Sequence, residues 1–118
     1  MKKLLIIIND APYGSEKAFN GLRIAIQVQK ESPETEVRIF LMADAATATI
    51  SGQSVPQGYY NIETMLSAVI FKGGKVKICG TCANARGLKD LKLVEGAEIS
   101  NMSELAGWIL DSEKVLTF

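Results

Sequence analysis

Lys2-Lys3-Leu4-Leu5-Ile6-Ile7-Ile8, followed by Asn9-Asp10-Ala11-Pro12-Tyr13-Gly14, is the stretch that decides the fold. Five consecutive aliphatic residues, with no polar alternation, match a strand covered on both faces, as in a parallel sheet. The six residues after it are dense in turn formers, so the chain leaves the strand through a loop. From Ser15 to about Lys30, Ala18, Phe19, Leu22, Ala25 and Ile26 recur mostly at helical spacing, which predicts an amphipathic helix stopped at Ser32-Pro33. Strand, loop and helix in that order begin a parallel crossover.

The same order recurs downstream. Glu36–Met42 (EVRIFLM) predicts a second buried strand, whereas the threonine-rich Asp44–Thr49 carries no assignable pattern. Ser51–Tyr60 holds two glycines and a proline and is expected to be a mobile loop. Asn61 suits the N-cap of a helix running to about Phe71, with Ile62, Met65, Leu66, Val69 and Ile70 on its buried side and Gly73-Gly74 at its end. Lys75–Cys79 (KVKIC) alternates as a third strand, and Gly80–Gly87 reads as a turn followed by a short helix. Ala97–Ile99 predicts a short strand. Asn101-Met102-Ser103-Glu104 resembles a capping box opening a helix that carries Leu105, Trp108 and Ile109, and Lys114–Phe118 is a last strand. The alternation predicts an α/β fold, an open and mainly parallel sheet with helices on both faces. Ligands and reactive groups collect at the carboxyl ends of such strands. Asn9–Gly14 and the segment starting at Cys79 both fall there.

The length of 118 residues and a hydrophobic fraction of 47% fit one domain, residues 1–118. Thirteen basic residues balance thirteen acidic ones. A zero net charge leaves no basic surplus for phosphate neutralisation, so nucleic acid is not an expected partner. It also gives little repulsion between copies, so a homo-oligomer is expected. The absence of histidine excludes Ser-His-Asp and Cys-His pairs within one chain, and every His-based zinc site. Met1-Lys2-Lys3 and the apolar run to Ile8 mimic a signal peptide, but the run is too short. No stretch is long enough to span a bilayer, so a cytoplasmic protein without membrane attachment is expected. Asn9–Gly14 lacks a Walker lysine and no G-x-G-x-x-G follows the first strand, so no cofactor is expected.

Cys79-Gly80-Thr81-Cys82 is the sharpest chemical feature. A thiol where a strand turns into a helix meets unpaired N–H groups that favour its thiolate, and Arg86 lies one short helix further on. Such a thiolate attacks sulfane sulfur, disulfides and electrophilic carbon. Two other chemistries fit the spacing: a dithiol redox pair, and half of a zinc site completed by a second subunit. The plain alternative is two small buried hydrophobes. Tyr13 is a candidate to face the Cys79 pocket. Tyr59-Tyr60 either covers a pocket or subunit contact, or packs one ring and exposes the other. Trp108 is expected in the core, and Lys72, Lys75 and Lys77 on a solvated face.

Ala11-Pro12-Tyr13-Gly14-Ser15-Glu16, Phe40-Leu41-Met42-Ala43-Asp44-Ala45, Gly58-Tyr59-Tyr60-Asn61-Ile62, Cys79–Gly87 (CGTCANARG) and Asp111–Phe118 (DSEKVLTF) form one ordered set. Together they resemble the DsrE/DsrF-like family, and within it the small YchN-like subgroup. The resemblance implies a flavodoxin-like α/β domain, assembled as trimers or hexamers. It also implies sulfur relay, in which a cysteine after the third main strand takes sulfane sulfur as a persulfide and passes it to a partner. Cys79 matches that position, Cys82 is an additional cysteine of the subgroup, and Arg86 is the arginine of the Arg-Gly pair beside them. Sulfur donor and acceptor proteins are the partners so implied.

Overall fold

The computed structural model describes residues 2–118; Met1, the first residue of the expected domain, lies outside them. Strands β1 (Lys3–Ile8), β2 (Glu36–Leu41), β3 (Lys75–Cys79), β4 (Ala97–Ser100) and β5 (Lys114–Thr117) form one sheet in the order β4-β3-β2-β1-β5. All four neighbouring pairs are parallel, with Ile6 opposite Ile39, Ile39 opposite Val76 and Cys79 opposite Ser100. Helices α1 (Lys17–Glu31), α2 (Ile62–Phe71), α3 (Gly80–Ala85) and α4 (Met102–Leu110) connect them, with a 3-10 helix over Ala43–Thr49 after β2.

Strand alternation sorts the core into two layers. Leu4, Ile6, Ile8, Val37, Ile39, Leu41 and Val76 pack under α1 and α2, joined by Leu22, Ala25, Leu66 and Val69. Ile78, on the same face, packs with Ala83 of α3, with Ala46 and with Leu88. Leu5, Ile7, Phe40 and Cys79 point the other way, toward Leu105 and Trp108 of α4. Phe40 meets Trp108 edge to face, with ring centroids 6.2 Å apart. Arg38, only 5% exposed, lies over the same indole and pairs with Glu36 and Asp111.

Several expectations change in detail. The unassigned Asp44–Thr49 belongs to the 3-10 helix. Cys79 passes directly into α3 with no intervening turn. The segment Ser51–Tyr60, expected to be a mobile loop, has no helix or strand, and its first three residues are anchored: the Glu63 carboxylate accepts from the N–H groups of Gly52 and Gln53 and from the Ser51 hydroxyl. Glu63 is held below the usual carboxylate range by those donors. Asn61 and Asn101 cap α2 and α4 by accepting from Thr64 and Glu104 N–H. The capping box at Asn101 is one-sided, because the Glu104 carboxylate accepts from the Ser100 hydroxyl instead of reaching back to the Asn101 N–H. Lys72 and Lys75 are solvated, but Lys77 is half-buried, its ammonium 4.7 Å from the Trp108 ring centre and 3.5 Å from Glu104.

Phe40→Ala removes the ring that joins β2 to α4 and is expected to cost about 3–5 kcal/mol. Gly74→Ala places a Cβ 2.8 Å from the Val69 carbonyl oxygen, and is expected to cost about 1–3 kcal/mol of strain. Urea unfolding followed by Trp108 fluorescence reads both as lowered midpoints at an unchanged slope.

Candidate functional site

The connections after β3 and β4 mark one candidate site. The chain leaves β3 for α3 on the α1 and α2 side, and leaves the neighbouring β4 for α4 on the opposite side. Between two such strands the connections diverge, which is where open α/β sheets place their ligands. Cys79 is the last residue of β3 and sits on that divide. It is 8% exposed, and Cys82 is half-buried.

The backbone around Cys79 acts directly on its sulfur. Cys79 is the N-cap of α3, and its Sγ accepts from the Cys82 N–H at 3.5 Å. Burial alone pushes the Cys79 thiol up. The hydrogen bond from the Cys82 thiol, the N–H groups of Cys82 and Thr81, and the Arg86 charge outweigh it, so the thiol ends below its ordinary value. Cys82 moves the opposite way. Its bond to Cys79 pushes it up, burial adds to that, and the Ala43 N–H and Arg86 offset only part. One thiol is thereby prepared to ionise while its neighbour keeps the proton.

Cys79, Cys82 and Arg86, the three residues singled out in the sequence, are thus brought together around α3. Arg86 does not rest on the sulfur. Its Nε and Nη2 both lie 2.9 Å from Asp44 Oδ1, and its Nη1 donates to the Cys82 carbonyl at 3.1 Å. It acts on Cys79 as a charge at a distance and on α3 as a brace. Tyr13 is not part of this group. Its hydroxyl donates to Gln53 Oε1 at 2.6 Å and accepts from the Ile62 N–H, and its ring stacks on Tyr60. Tyr60 packs on Phe19 as well, while Tyr59 is exposed, so the pair divides into one packed and one solvent-facing ring.

Two residues at the site, both in the Phe40–Ala45 stretch that carries the resemblance, were given no role by the sequence. The N–H of Ala43 donates to Cys82 Sγ at 3.2 Å. Ala43 has φ +49°, the one positive φ outside glycine among the described residues. That conformation costs a residue with a Cβ about 1–2 kcal/mol, comparable to the roughly 0.5–1.5 kcal/mol that one intramolecular hydrogen bond returns. Asp44, next in the chain, holds Arg86. A glycine or asparagine at position 43 would have advertised the left-handed turn; alanine does not. Among the described residues no group of three or more potential ligands could hold a metal ion, and no helix is long and apolar enough to cross a membrane.

Comparison with known proteins agrees with this fold. A family model described as the DsrE/DsrF-like family matches residues 2–118. Protein YchN of Escherichia coli (strain K12) is 46% identical over 118 residues, covering 100% of both chains. The crystal structure of that protein matches with a TM-score of 0.96 over 100% of both chains. An uncharacterized protein of Methanocaldococcus jannaschii, MJ0989, is 38% identical over 116 residues, 98% of this chain and 99% of that one. A protein of unknown function from Methanobacterium thermoautotrophicum, MTH1491, matches at a TM-score of 0.80 and 9% identity over 100% of both chains, a likeness of fold.

The opposed thiol shifts are directly measurable. Because a lowered pKa keeps the thiolate populated at lower pH, alkylation of Cys79 is expected to have its midpoint below the free-thiol value of about 8.5, and that of Cys82 above it. Cys82→Ala removes one donor and is expected to move the Cys79 midpoint upward. Peptide-resolved alkylation rates across a pH series check both.

Proposed function

The chain belongs to the DsrE/DsrF-like family, and from that premise we propose that it is a small sulfur-relay protein of the cytoplasm that carries sulfane sulfur as a persulfide on Cys79. The observation that carries the proposal is the Cys79 sulfur itself. It stands at a strand end, accepts a backbone N–H, and lies beside the half-buried Cys82 thiol, whose pKa is pushed up as that of Cys79 is drawn down.

The chemistry balances without a cofactor. The Cys79 thiolate attacks the outer sulfur of a donor persulfide, R–S–SH; the new bond is Cys79 S–S, and the donor leaves as R–S⁻. In delivery, an acceptor thiolate attacks the outer sulfur of Cys79–S–SH, and Cys79 leaves as a thiolate. A thiol of lowered pKa is the better leaving group. The Cys82 S–H and the N–H groups of Cys82 and Thr81 receive that returning charge. The raised Cys82 thiol favours this shielding role over attack on the persulfide to form a Cys79–Cys82 disulfide, which needs Cys82 as a thiolate. Reduced thiols with this task fit a reducing compartment.

Donor and acceptor proteins are the partners of this relay, and a trimer or hexamer of identical chains is the proposed assembly. Supporting the assembly, α4 is the helix that covers its face of the sheet, yet Met102, Ile109 and Leu110 on it are exposed, as are Val115 and Leu116 of edge strand β5. Large exposed apolar side chains on a covering helix and on an unpaired strand edge are candidate contact surfaces.

Intact-mass measurement after incubation with a sulfane sulfur donor is expected to show a gain of about 32 Da, one sulfur atom as a persulfide, in wild type and none in Cys79→Ser. No gain in wild type, or an equal gain in Cys79→Ser, contradicts the proposal. A reversible Cys79–Cys82 disulfide without sulfur uptake would instead mark a dithiol redox protein. Ordinary thiol pKa values, with partner binding unchanged in Cys79→Ser, would mark a binding module with incidental cysteines. Light scattering at micromolar concentration is expected to give a trimer or hexamer mass, and Leu110→Asp to reduce it; a monomer mass in wild type contradicts the assembly.

A further inference from the structure

The strained residue at the site lies outside the Cys79–Cys82 motif. Ala43 adopts φ +49°, a conformation that glycine or asparagine takes readily and alanine rarely. A non-glycine residue stays there when its surroundings over-determine it. Here the surroundings are explicit. The Met42 N–H donates to the Ile8 carbonyl and the Ala45 N–H to the Met42 carbonyl, which pins the turn between β1 and the 3-10 helix. Between them, the Ala43 N–H is aimed at Cys82 Sγ at 3.2 Å. Asp44 then grips Arg86, the C-cap of α3. The turn after β2 therefore holds α3 at two points, its first turn through sulfur and its end through guanidinium.

We propose that Ala43 is a positioning residue, whose left-handed N–H holds Cys82 in the placement from which its S–H donates to Cys79, with Asp44 and Arg86 as the second half of the same clamp. A thiol sulfur that accepts an N–H becomes a stronger donor through its own S–H, because hydrogen bonds in a chain polarise one another. The Ala43 N–H meets the Cys82 sulfur at 3.2 Å and the Cys82 N–H meets the Cys79 sulfur at 3.5 Å, so the proposed S–H donation from Cys82 to Cys79 completes such a chain. It rests on the reading of Cys79 as the sulfur carrier, and it assigns the placement of Cys82 against Cys79 to a turn some forty residues upstream of them. During delivery the chain stabilises Cys79 as the departing thiolate, and the acceptor keeps the outer sulfur. The charged groups around the pair are Arg86 and Asp44 on the α3 side and Lys77, paired with Glu104, on the α4 side. Substitution at Ala43 changes none of these four residues, and Ala43→Gly also keeps the turn that places Asp44.

Two substitutions at Ala43 separate conformation from bulk. Ala43→Gly keeps the N–H and removes the strain, so the Cys79 alkylation profile is expected to match wild type. Ala43→Val disfavours the left-handed conformation, so the Cys79 midpoint is expected to rise, slowing alkylation at neutral pH by roughly three- to tenfold, which a rise of about half to one pH unit produces. A folded Ala43→Val protein with wild-type profiles at both thiols overturns the proposal, as does an equal shift in Ala43→Gly. Should Ala43→Val fail to fold, amide exchange in Cys82→Ala decides. The Ala43 amide is expected to exchange at least roughly tenfold faster while the Met42 amide, bonded to Ile8, keeps its rate; an unchanged Ala43 amide overturns the proposal. A shifted profile in Ala43→Val, in a protein that never takes up sulfur, contradicts the carrier reading and leaves the positioning role standing. Sulfur uptake in wild type with an unshifted profile in Ala43→Val does the reverse.

Discussion

A single sulfur held at the end of a parallel strand organises this molecule's chemistry. The strand order β4-β3-β2-β1-β5 makes the connections after β3 and β4 diverge to opposite faces, and Cys79 stands at the divide. A sulfur one residue earlier would be inside the sheet. One residue later, it would belong to the wall of α3, where Gly80 already lies so close that an added Cβ would come within 3.1 Å of Ile99 and the Ser100 carbonyl. Position, more than the identity of any neighbouring charge, decides that this thiol meets N–H groups on one side and a second thiol on the other.

The two faces of the sheet divide the work. On the α1 and α2 side, a continuous aliphatic layer supplies stability. On the α4 side, the layer is thinner and mixed: Leu5, Ile7, Phe40 and Cys79 meet Leu105 and Trp108, and the indole is flanked by Arg38 and Lys77. Cys79 belongs to this second layer. Its partner Cys82 touches both the second layer and the small cluster under α3, so the thiol pair sits where two packing units join. Strain at Ala43 is held at the same junction, as expected where a functional geometry is imposed by surrounding structure.

Much of this was legible in the sequence. The aliphatic run Leu4–Ile8, the asparagine caps at Asn61 and Asn101 and the alternation in KVKIC each encode their element locally, through burial, capping and pleat. Cys79, Cys82 and Arg86 were visible because thiols and guanidinium at that spacing have few bland explanations. What escaped depends on contacts between distant segments. The 3-10 helix Ala43–Thr49 has no periodicity of its own and is shaped by its bonds to Asn9 and by packing under α3. The segment Ser51–Tyr60 reads as loose by composition, and its first three residues are anchored by distant partners, the Glu63 carboxylate that follows it and the Tyr13 hydroxyl on Gln53. Lys77 reads as a surface charge, and the indole that half-buries it lies thirty-one positions away. The Ala43 N–H left no trace because a backbone donor has no residue type.

The chemistry of the thiol pair depends on one sulfur ionising before its neighbour. A carbon NMR titration that follows the Cβ atoms of Cys79 and Cys82 in the same sample reads each thiol separately. Two transitions, with the one at Cys79 below the free-thiol value of about 8.5 and the one at Cys82 above it, are the predicted result. A single shared transition at the free-thiol value, or the reverse order with Cys82 ionising first, would contradict it.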